Sequence, residues 1–214
     1  MRRRNLSLTV GAIITSFILS GHLIAQKPKV PEEAWEKRLN RRQPPEKIID
    51  AIGLKKGMVI GDIGAGTGRL AFWFSERVGE TGRVYANDID NEALNTLKSR
   101  CKKYNIRNIT TIVGEVEDPL LPEKSLDIAF MINVYHHLDK PIPLVKNIMP
   151  SLKPDGILAI VECDPVKSGF PEDHSTPKND MIKQLDQAGY DIIRIEDFLR
   201  EDYIYICRPR GSEK

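Results

Sequence analysis

One stretch of this chain combines an acidic residue with a backbone that a ligand could approach closely. Asp62 begins the run Asp-Ile-Gly-Ala-Gly-Thr-Gly, which ends at Gly68. Glycines lack a Cβ atom, so their backbone can lie directly against a ligand or adopt a positive φ angle. A carboxylate at this place repels a pyrophosphate and attracts a positively charged ligand. We therefore expect the loop over 62–68 to bind a cationic molecule.

A dinucleotide-binding loop is the alternative, because its fingerprint is also rich in glycine. That fingerprint is Gly-x-Gly-x-x-Gly, which counted from Gly64 requires a glycine at the position of Arg69. The third glycine, Gly68, comes one position early. Together, the glycine spacing and the Asp62 carboxylate favour a ligand with a sulfonium and an ammonium group over a nicotinamide dinucleotide.

Acidic residues also follow the next two predicted strands. Asp88 ends the second strand, where a carboxylate can accept hydrogen bonds from both hydroxyls of a ribose, and Asp90 is the nearby alternative. Glu115 and Val116 directly follow the third strand, predicted over 109–114. A nucleoside is thus the ligand that these positions suit.

Taken in order, these motifs resemble those of the class I S-adenosylmethionine-dependent methyltransferases. The first motif of that family is an acidic residue, one residue and then Gly-x-Gly-x-Gly, which 62–68 matches at every fixed position. Glu115 and Val116 match the family's pair that holds the adenine edge, with glutamate where aspartate is usual. Leu152-Lys-Pro-Asp-Gly156 resembles the family's Leu-Lys-Pro-Gly-Gly turn, with Asp155 replacing one glycine.

The resemblance implies S-adenosyl-L-methionine as the cofactor and methyl transfer to a small molecule as the activity. The residues that it implies for cofactor binding are Asp62, Gly64, Ala65, Gly66, Gly68, Asp88, Ile89, Glu115, Val116 and Asn133. A sulfonium already activates its methyl group, so the protein has to align donor and acceptor and exclude water. A base is needed only if the acceptor loses a proton.

The loop after the fourth strand is the richest in groups that could act on an acceptor. Histidine titrates near neutral pH, and we expect His136 to transfer protons and His137 to be the more structural of the two. Tyr135 and Asn133 can orient an acceptor. The His-His-Leu stretch resembles methyltransferases related to quinone and arsenic methylation, in which it lies close to cofactor and acceptor.

Three further residues could reach the same cavity. His174 precedes the last long helix, where this fold often contacts its acceptor, although an exposed loop histidine is the plainer interpretation. Glu162 and Asp164 close the fifth strand and either face the cavity or cap the next turn. We take His136, Tyr135 and His174 as the catalytic candidates.

The absence of one motif limits the acceptor atoms that we expect. The Asp/Asn-Pro-Pro-Tyr/Phe signature of amino-methyltransferases is missing, since Asn133 is followed by Val134. Adenine or amide nitrogen is therefore disfavoured, and a small or lipophilic acceptor at carbon, oxygen or arsenic remains open. The alternatives to a methyltransferase are a non-catalytic module of the same fold and a nicotinamide-dependent oxidoreductase.

Strands and helices alternate from Met58 onward, and this pattern predicts an α/β fold. We expect a Rossmann-like, doubly wound, seven-stranded sheet, mostly parallel with an antiparallel C-terminal hairpin strand. Among its elements are strands over 125–132, 157–162, 190–196 and 202–207, helices over 92–104 and 143–152, and a last helix capped by Thr176 and started by Pro177. Ligands of such sheets bind beyond the carboxyl ends of the strands, so the loops above share one rim.

The first 25 residues differ from the rest. Three arginines after Met1 precede an uncharged, largely apolar run, which predicts a signal peptide or an uncleaved anchor over 1–25. The arginines keep the amino terminus in the cytoplasm, so the domain would be exported, periplasmic or extracytoplasmic, or anchored by this segment. A cytoplasmic location stays open because the cofactor is made there.

The remaining boundaries follow from charge and composition. We expect a linker or helical lid over 26–43, which is more consistent with cover of the sheet edge than with cover of the cofactor. A methyltransferase domain over 44–209 and a tail over 210–214 follow.

Without the three arginines of 1–25 the net charge of +2 becomes about −1, so no nucleic-acid partner is indicated. The three cysteines and four histidines show no metal-site spacing, and we expect neither a metal nor a disulfide. The oligomeric state is not predicted.

Overall fold

From Val59 onward the chain alternates strands and helices, as its hydrophobic pattern predicts. The structure is a computed structural model that describes residues 30–171 and 174–211. In chain order its elements are α1 (Ala34–Arg42), α2 (Pro45–Ala51), β1 (Val59–Ile63), α3 (Ala71–Val78), β2 (Arg83–Asp88), α4 (Asn91–Lys103), β3 (Ile109–Val113), β4 (Leu126–Ile132), α5 (Pro141–Ile148), β5 (Leu152–Cys163), α6 (Pro165–Ser168), α7 (Lys178–Gln187), β6 (Tyr190–Glu196) and β7 (Asp202–Pro209). Short 3₁₀ turns lie at Tyr135–His137 and Met149–Ser151.

The seven strands form one sheet in the order β3-β2-β1-β4-β5-β7-β6. The strands β1 to β5 pair in parallel, and β7 runs antiparallel to both β5 and β6. This confirms the predicted mostly parallel sheet with an antiparallel C-terminal strand. It also departs from the 3-2-1-4-5-6 order of dinucleotide-binding folds, because an antiparallel strand lies between β5 and β6.

The sheet is covered on both faces because successive side chains of each strand point to opposite sides. In β4, Ile128 and Phe130 pack in one apolar layer with side chains of α2, α3 and α4. Ala129 and Met131 pack in the other layer with side chains of α5 and α7. Burial on both faces leaves the strand ends as the places where polar groups can meet a ligand, and the order reverses between β1 and β4.

Two predicted boundaries differ from the structure. The helix expected over 143–152 begins at Pro141 and gives way to a 3₁₀ turn at Met149, and β5 begins at Leu152 rather than at Ile157. The register of β4 and β5 jumps there, since Leu126 pairs with Leu152 while Ile128 pairs with Ile157. The Lys-Pro-Asp-Gly segment is therefore an irregular start to the strand.

The start of α7 is a second correction. Pro177 is its N-cap and makes no side-chain cap, so the predicted Thr176 cap is wrong. The first free amide of the helix, at Lys178, donates instead to Asp164 Oδ2 at 2.9 Å. Asp164 also caps α6 through Oδ1, because it accepts from the amides of Val166 and Lys167. Asp164 is thus a capping residue, one of its two expected roles.

The charged segment before the domain contacts the glycine loop through a buried ion pair, and its cover of the sheet edge stays a prediction. Glu36 in α1 is buried and accepts two hydrogen bonds from the Arg100 guanidinium, at 2.7 and 2.9 Å. Arg100 also donates to the Thr67 carbonyl at 2.8 Å and lies over the Phe72 ring, 4.7 Å from its centroid. This clamp ties α1 and α4 to the loop on which the first motif lies.

Some expectations fall on residues that are not described. The signal or anchor segment over 1–25, the first residues of the linker and the last residues of the tail lie outside the described ranges. Within those ranges, no helix is long and apolar enough to span a bilayer, and no cluster of metal-ligating side chains occurs. Cys101, Cys163 and Cys207 are buried free thiols, and Cys163 pairs with Asp202 while Cys207 pairs with Leu158, toward opposite ends of the paired strands.

Candidate functional site

The glycine loop is held open by backbone hydrogen bonds and by positive φ angles. The amides of Gly64 and Ala65 both donate to the Asn87 carbonyl, at 2.8 and 2.9 Å. A Cβ atom on Gly64, whose φ is +74°, would overlap the Val134 side chain that follows β4. Gly66 has a φ of +54°, and a Cβ there would meet no atom within 4 Å. The loop therefore has open space at Gly66 and a tight contact with the β4 loop at Gly64.

Asp88 lies at the end of β2 beside this open space. Its Oδ2 accepts from the Gly66 amide at 2.7 Å and its Oδ1 from the Asp90 amide at 2.9 Å. Asp90, the alternative ribose ligand, instead caps α4 by accepting from the amides of Glu92 and Ala93. Asp88 remains the acid at this rim whose carboxylate is aligned by the glycine loop itself.

Exposed side chains flank Asp88 on two neighbouring loops. Ile89 is 63% exposed and Val116 is 52% exposed, unusual values for large apolar residues. Glu115 is also exposed, and its amide donates to the Asp118 carbonyl at 2.7 Å, which turns the chain directly after β3. Apolar surface next to a carboxylate on this rim suits the faces and the polar edge of a purine.

Asp62 is a buried carboxylate at the end of β1. Only 2% of the residue is exposed, and Oδ2 has no hydrogen-bond partner among the described residues. Burial raises the pKa of Asp62 to about 7, against the opposing attraction of Arg69. Burial likewise lowers the pKa of Arg69 to about 10. An unpaired buried acid oxygen at this place would gain from a cationic group on a ligand.

Gln43, at the end of α1, connects the two sides of the rim. Its amide nitrogen donates to Asn133 Oδ1 and to Asp202 Oδ1, both at 2.9 Å. Its amide oxygen accepts from Arg69 Nη2 at 3.0 Å and from Asn133 Nδ2 at 3.1 Å. Gln43 is fully buried, so its side-chain amide makes these hydrogen bonds inside the protein. The side chain of Asn133, which has a φ of +55°, is therefore held by this network.

The catalytic candidates separate into two groups. Tyr135 is buried in the layer with α5 and α7, its hydroxyl donates to Gln184 Oε1 at 2.8 Å, and burial raises its pKa. This geometry gives Tyr135 a packing role that anchors the 3₁₀ turn. His136 pairs with Glu162, its Nδ1 atom 2.6 Å from Oε1. Glu162 therefore faces the rim, the other of the roles expected for the end of β5.

His137 and His174 lie next to this pair. The rings of His136 and His137 have centroids 4.0 Å apart. Burial lowers the pKa of His137, with contributions from His136 and His174, while Glu162 opposes the shift. His174, in the exposed loop before α7, is thus brought into electrostatic range of the histidine turn. The three histidines gather at the carboxyl edge of β4 and β5.

The site as a whole fits the cofactor that the motifs imply. The glycine loop offers bare backbone and open space, Asp88 offers a carboxylate to a ribose, and Asp62 offers one to an ammonium group. The His136–Glu162 pair, at the ends of β4 and β5, can take up a proton. Such an arrangement can hold a cationic nucleoside on one side of the rim and an acceptor on the other.

Comparison with known proteins agrees with this geometry. A family model described as a methyltransferase domain matches residues 61–160. The ubiquinone/menaquinone biosynthesis C-methyltransferase UbiE of Psychromonas ingrahamii is 30% identical over 118 residues, which are 53% of this chain and 46% of that protein. The protein of the same name from Vibrio vulnificus is 30% identical over 115 residues, with shares of 53% and 44%. This chain thus spans about half the length of the curated relatives it matches.

Among solved structures, one described as a SAM dependent methyltransferase from Aquifex aeolicus is 26% identical with a TM-score of 0.74. The similarity covers 83% of this chain and 98% of that one, so it extends well beyond the residues of the family model. The glycine loop, Asp88 and His136 lie inside 61–160, whereas Gln43 and Glu162 lie outside it.

Proposed function

We propose that this chain contains a class I S-adenosylmethionine-dependent methyltransferase domain, and that the protein transfers a methyl group from S-adenosyl-L-methionine to a small-molecule acceptor. The observation that carries the proposal is the open space at Gly66, flanked by Asp88 and by the unpaired, buried Oδ2 of Asp62. A nucleoside with a positively charged amino-acid end matches these groups in shape and charge.

When bound at this rim, S-adenosyl-L-methionine would supply a methyl group that its sulfonium already activates. Asp88 accepts hydrogen bonds from the ribose, and the glycine backbone lets the nucleoside lie close to β1. Asp62 attracts the ammonium group of the amino-acid end. The clamp on α1 holds the Thr67 carbonyl of the glycine loop, and the Gln43 network holds the Arg69 side chain that follows this loop.

The acceptor proposed is a small or lipophilic molecule that is methylated at carbon or oxygen. The two curated relatives are named C-methyltransferases of ubiquinone/menaquinone biosynthesis, which favours carbon among the atoms that the sequence leaves open, while oxygen is retained from the sequence alone. Arsenic is the remaining alternative. Incubation of the full chain with methyl-labelled cofactor and a cell extract, followed by mass spectrometry, tests for a labelled product.

Calorimetric titration separates the competing functions. We expect S-adenosyl-L-methionine to bind and NADH not to bind, because the antiparallel β7 between β5 and β6 departs from the dinucleotide-binding order. Binding of the cofactor without turnover in any extract would favour a non-catalytic module of this fold. Binding of NADH alone would contradict the proposal.

We further propose that residues 1–25 direct the domain out of the cytoplasm, as a cleaved signal peptide or as an anchor. The support is the basic start and the apolar run of the sequence. Cell fractionation combined with sequencing of the mature amino terminus tests the proposal. A cytoplasmic protein that retains Met1 would contradict it.

A further inference from the structure

The His136–Glu162 pair has the geometry of a base with its orienting carboxylate. The two side chains are 8% and 0% exposed, and His136 Nδ1 lies 2.6 Å from Glu162 Oε1. The same Oε1 accepts from the Cys163 amide at 3.1 Å. Glu162 Oε2 is buried and has no hydrogen-bond partner in the described part of the chain. The carboxylate is thus held from one side and directed at the imidazole.

The fold fixes both members of the pair. Glu162 lies in β5 between β4 and β7 and pairs in register with Tyr203, so its backbone cannot move without disrupting the sheet. His136 lies in the 3₁₀ turn that the buried Tyr135 anchors through its hydrogen bond to Gln184. Two residues that are distant in sequence therefore meet at a defined distance beside the rim.

This contact sets which ring nitrogen carries the proton. A carboxylate oxygen accepts, so His136 Nδ1 donates and the lone pair of the neutral ring is on Nε2. Nε2 makes no hydrogen bond to any described residue. The charged neighbours of the pair include His137 in the same turn, His174 before α7 and Asp202 at the start of β7. The uncharged titratable neighbours include the buried side chains Tyr135, Cys163 and Tyr205. The Glu162 contact therefore leaves Nε2 as the nitrogen of the His136 ring that can accept a proton.

We propose that His136 Nε2 is the general base of the methyl transfer, that Glu162 is its positioning residue, and that the acceptor carries a proton on the attacking oxygen or carbon, as a phenol does. This inference rests on the proposed function and specifies its acceptor. A lone-pair acceptor such as arsenite attacks the methyl carbon without giving up a proton from the attacking atom, so the attack does not require the pair.

The step balances as follows in atoms and charge. The acceptor oxygen or carbon forms a bond to the methyl carbon while the bond from that carbon to sulfur breaks. Sulfur keeps the electron pair and becomes a neutral thioether. The acceptor proton passes to Nε2, and the imidazolium so formed is stabilised by the Glu162 carboxylate until water removes the proton.

A coloured phenol tests the pair without turnover. The full chain is saturated with S-adenosylhomocysteine, 4-nitrocatechol is added, and its ionisation is followed by visible absorption against pH. We expect the bound probe to ionise about one pH unit or more below the free probe. His136→Asn should abolish this shift, and Glu162→Gln should reduce it because the imidazolium loses its carboxylate. His137→Asn, which changes the neighbouring ring, is the control and should leave the shift in place.

The outcomes separate this inference from the proposed function. Calorimetry on the same samples measures S-adenosylhomocysteine affinity. Normal affinity with an unshifted or unbound probe in the wild-type chain overturns the inference alone, whereas loss of affinity contradicts the proposed function and the inference with it. If His136→Asn does not fold, nitrogen NMR of the wild-type chain can identify which ring nitrogen of neutral His136 carries the proton. A proton on Nε2 would overturn the inference.

Discussion

The side-chain amides of Gln43 and Asn133 face each other and exchange two hydrogen bonds, Nε2 to Oδ1 at 2.9 Å and Nδ2 to Oε1 at 3.1 Å. The pair joins the end of α1 to the loop after β4. Since Gln43 also contacts Arg69 and Asp202, the glycine loop, the β4 loop and β7 are all held by one side chain. The segment that precedes the domain is therefore part of the wall of the site.

Gln43→Ala should lower both the stability and the cofactor affinity of the protein. The change leaves the buried Arg69 and Asn133 with lost hydrogen bonds, and unpaired buried groups cost about 1–3 kcal/mol. Urea denaturation measures the free energy of unfolding, and calorimetry measures the affinity for S-adenosylhomocysteine. Arg38→Ala, at an exposed position of the same helix, is the matched control and should leave both quantities unchanged.

Glu36→Gln should destabilise the protein by about 3 kcal/mol, because the buried Arg100 charge loses its hydrogen-bonded carboxylate and keeps only the exposed Glu33, 3.9 Å away. Cofactor affinity should fall as well, since Arg100 also holds the Thr67 carbonyl of the glycine loop. Chemical denaturation and calorimetry again give the two quantities. The exposed pair of Arg77 and Asp50 supplies the comparison, and Asp50→Asn should cost about 1 kcal/mol or less. Equal costs for the two substitutions would contradict the clamp.

Asp88 and Asp90 should respond differently to the same substitution. Asp88→Ala is expected to weaken cofactor binding by about 1–3 kcal/mol, because ribose hydroxyls and the Gly66 amide lose their acceptor. Asp90→Ala removes the cap of α4, which should cost about 1 kcal/mol of stability and leave the affinity intact. Calorimetry and thermal unfolding of both variants test this. A larger loss of affinity from Asp90→Ala would mean that the ribose ligand is misassigned.

The elements that local sequence determines were predictable. The strand β6 over Tyr190–Glu196 has the predicted bounds, and the seven-stranded sheet follows from alternation of buried strands and amphipathic helices. Glycine spacing likewise predicts a loop with open backbone, because the requirement for a positive φ is local.

The partners of that loop could not be predicted, since they are distant in sequence. Gln43 and Asp202 are 159 positions apart, and Glu36 and Arg100 are 64 apart. Glu36 lies in a strongly charged segment, and such a segment predicts solvent-exposed side chains. The structure instead shows Glu36 buried. The Thr176 cap failed for the same reason, because Asp164 reaches the helix start from another loop.

Asp62 should make stability and cofactor affinity depend on pH in opposite directions. Burial raises its pKa from 3.8 to about 7, so between these values the folded chain holds a proton that the unfolded chain has released. Stability should therefore fall as pH rises through this window, and the cost is complete above pH 7. The affinity for a ligand with an ammonium group should instead rise toward and through pH 7, as the carboxylate ionises.

Asp62→Asn isolates this contribution, because the other buried acid with a raised pKa, Asp202, is present in both proteins. The variant should be less sensitive to pH than the wild-type chain between about pH 5 and pH 8, and it should lose the rise in S-adenosylhomocysteine affinity. Urea denaturation and calorimetry at matched pH values measure the two differences. Parallel stability profiles would show that Asp62 titrates as an exposed acid. Parallel affinity profiles would show that the ammonium group binds elsewhere, because an ionised Asp62 next to it must alter its binding free energy.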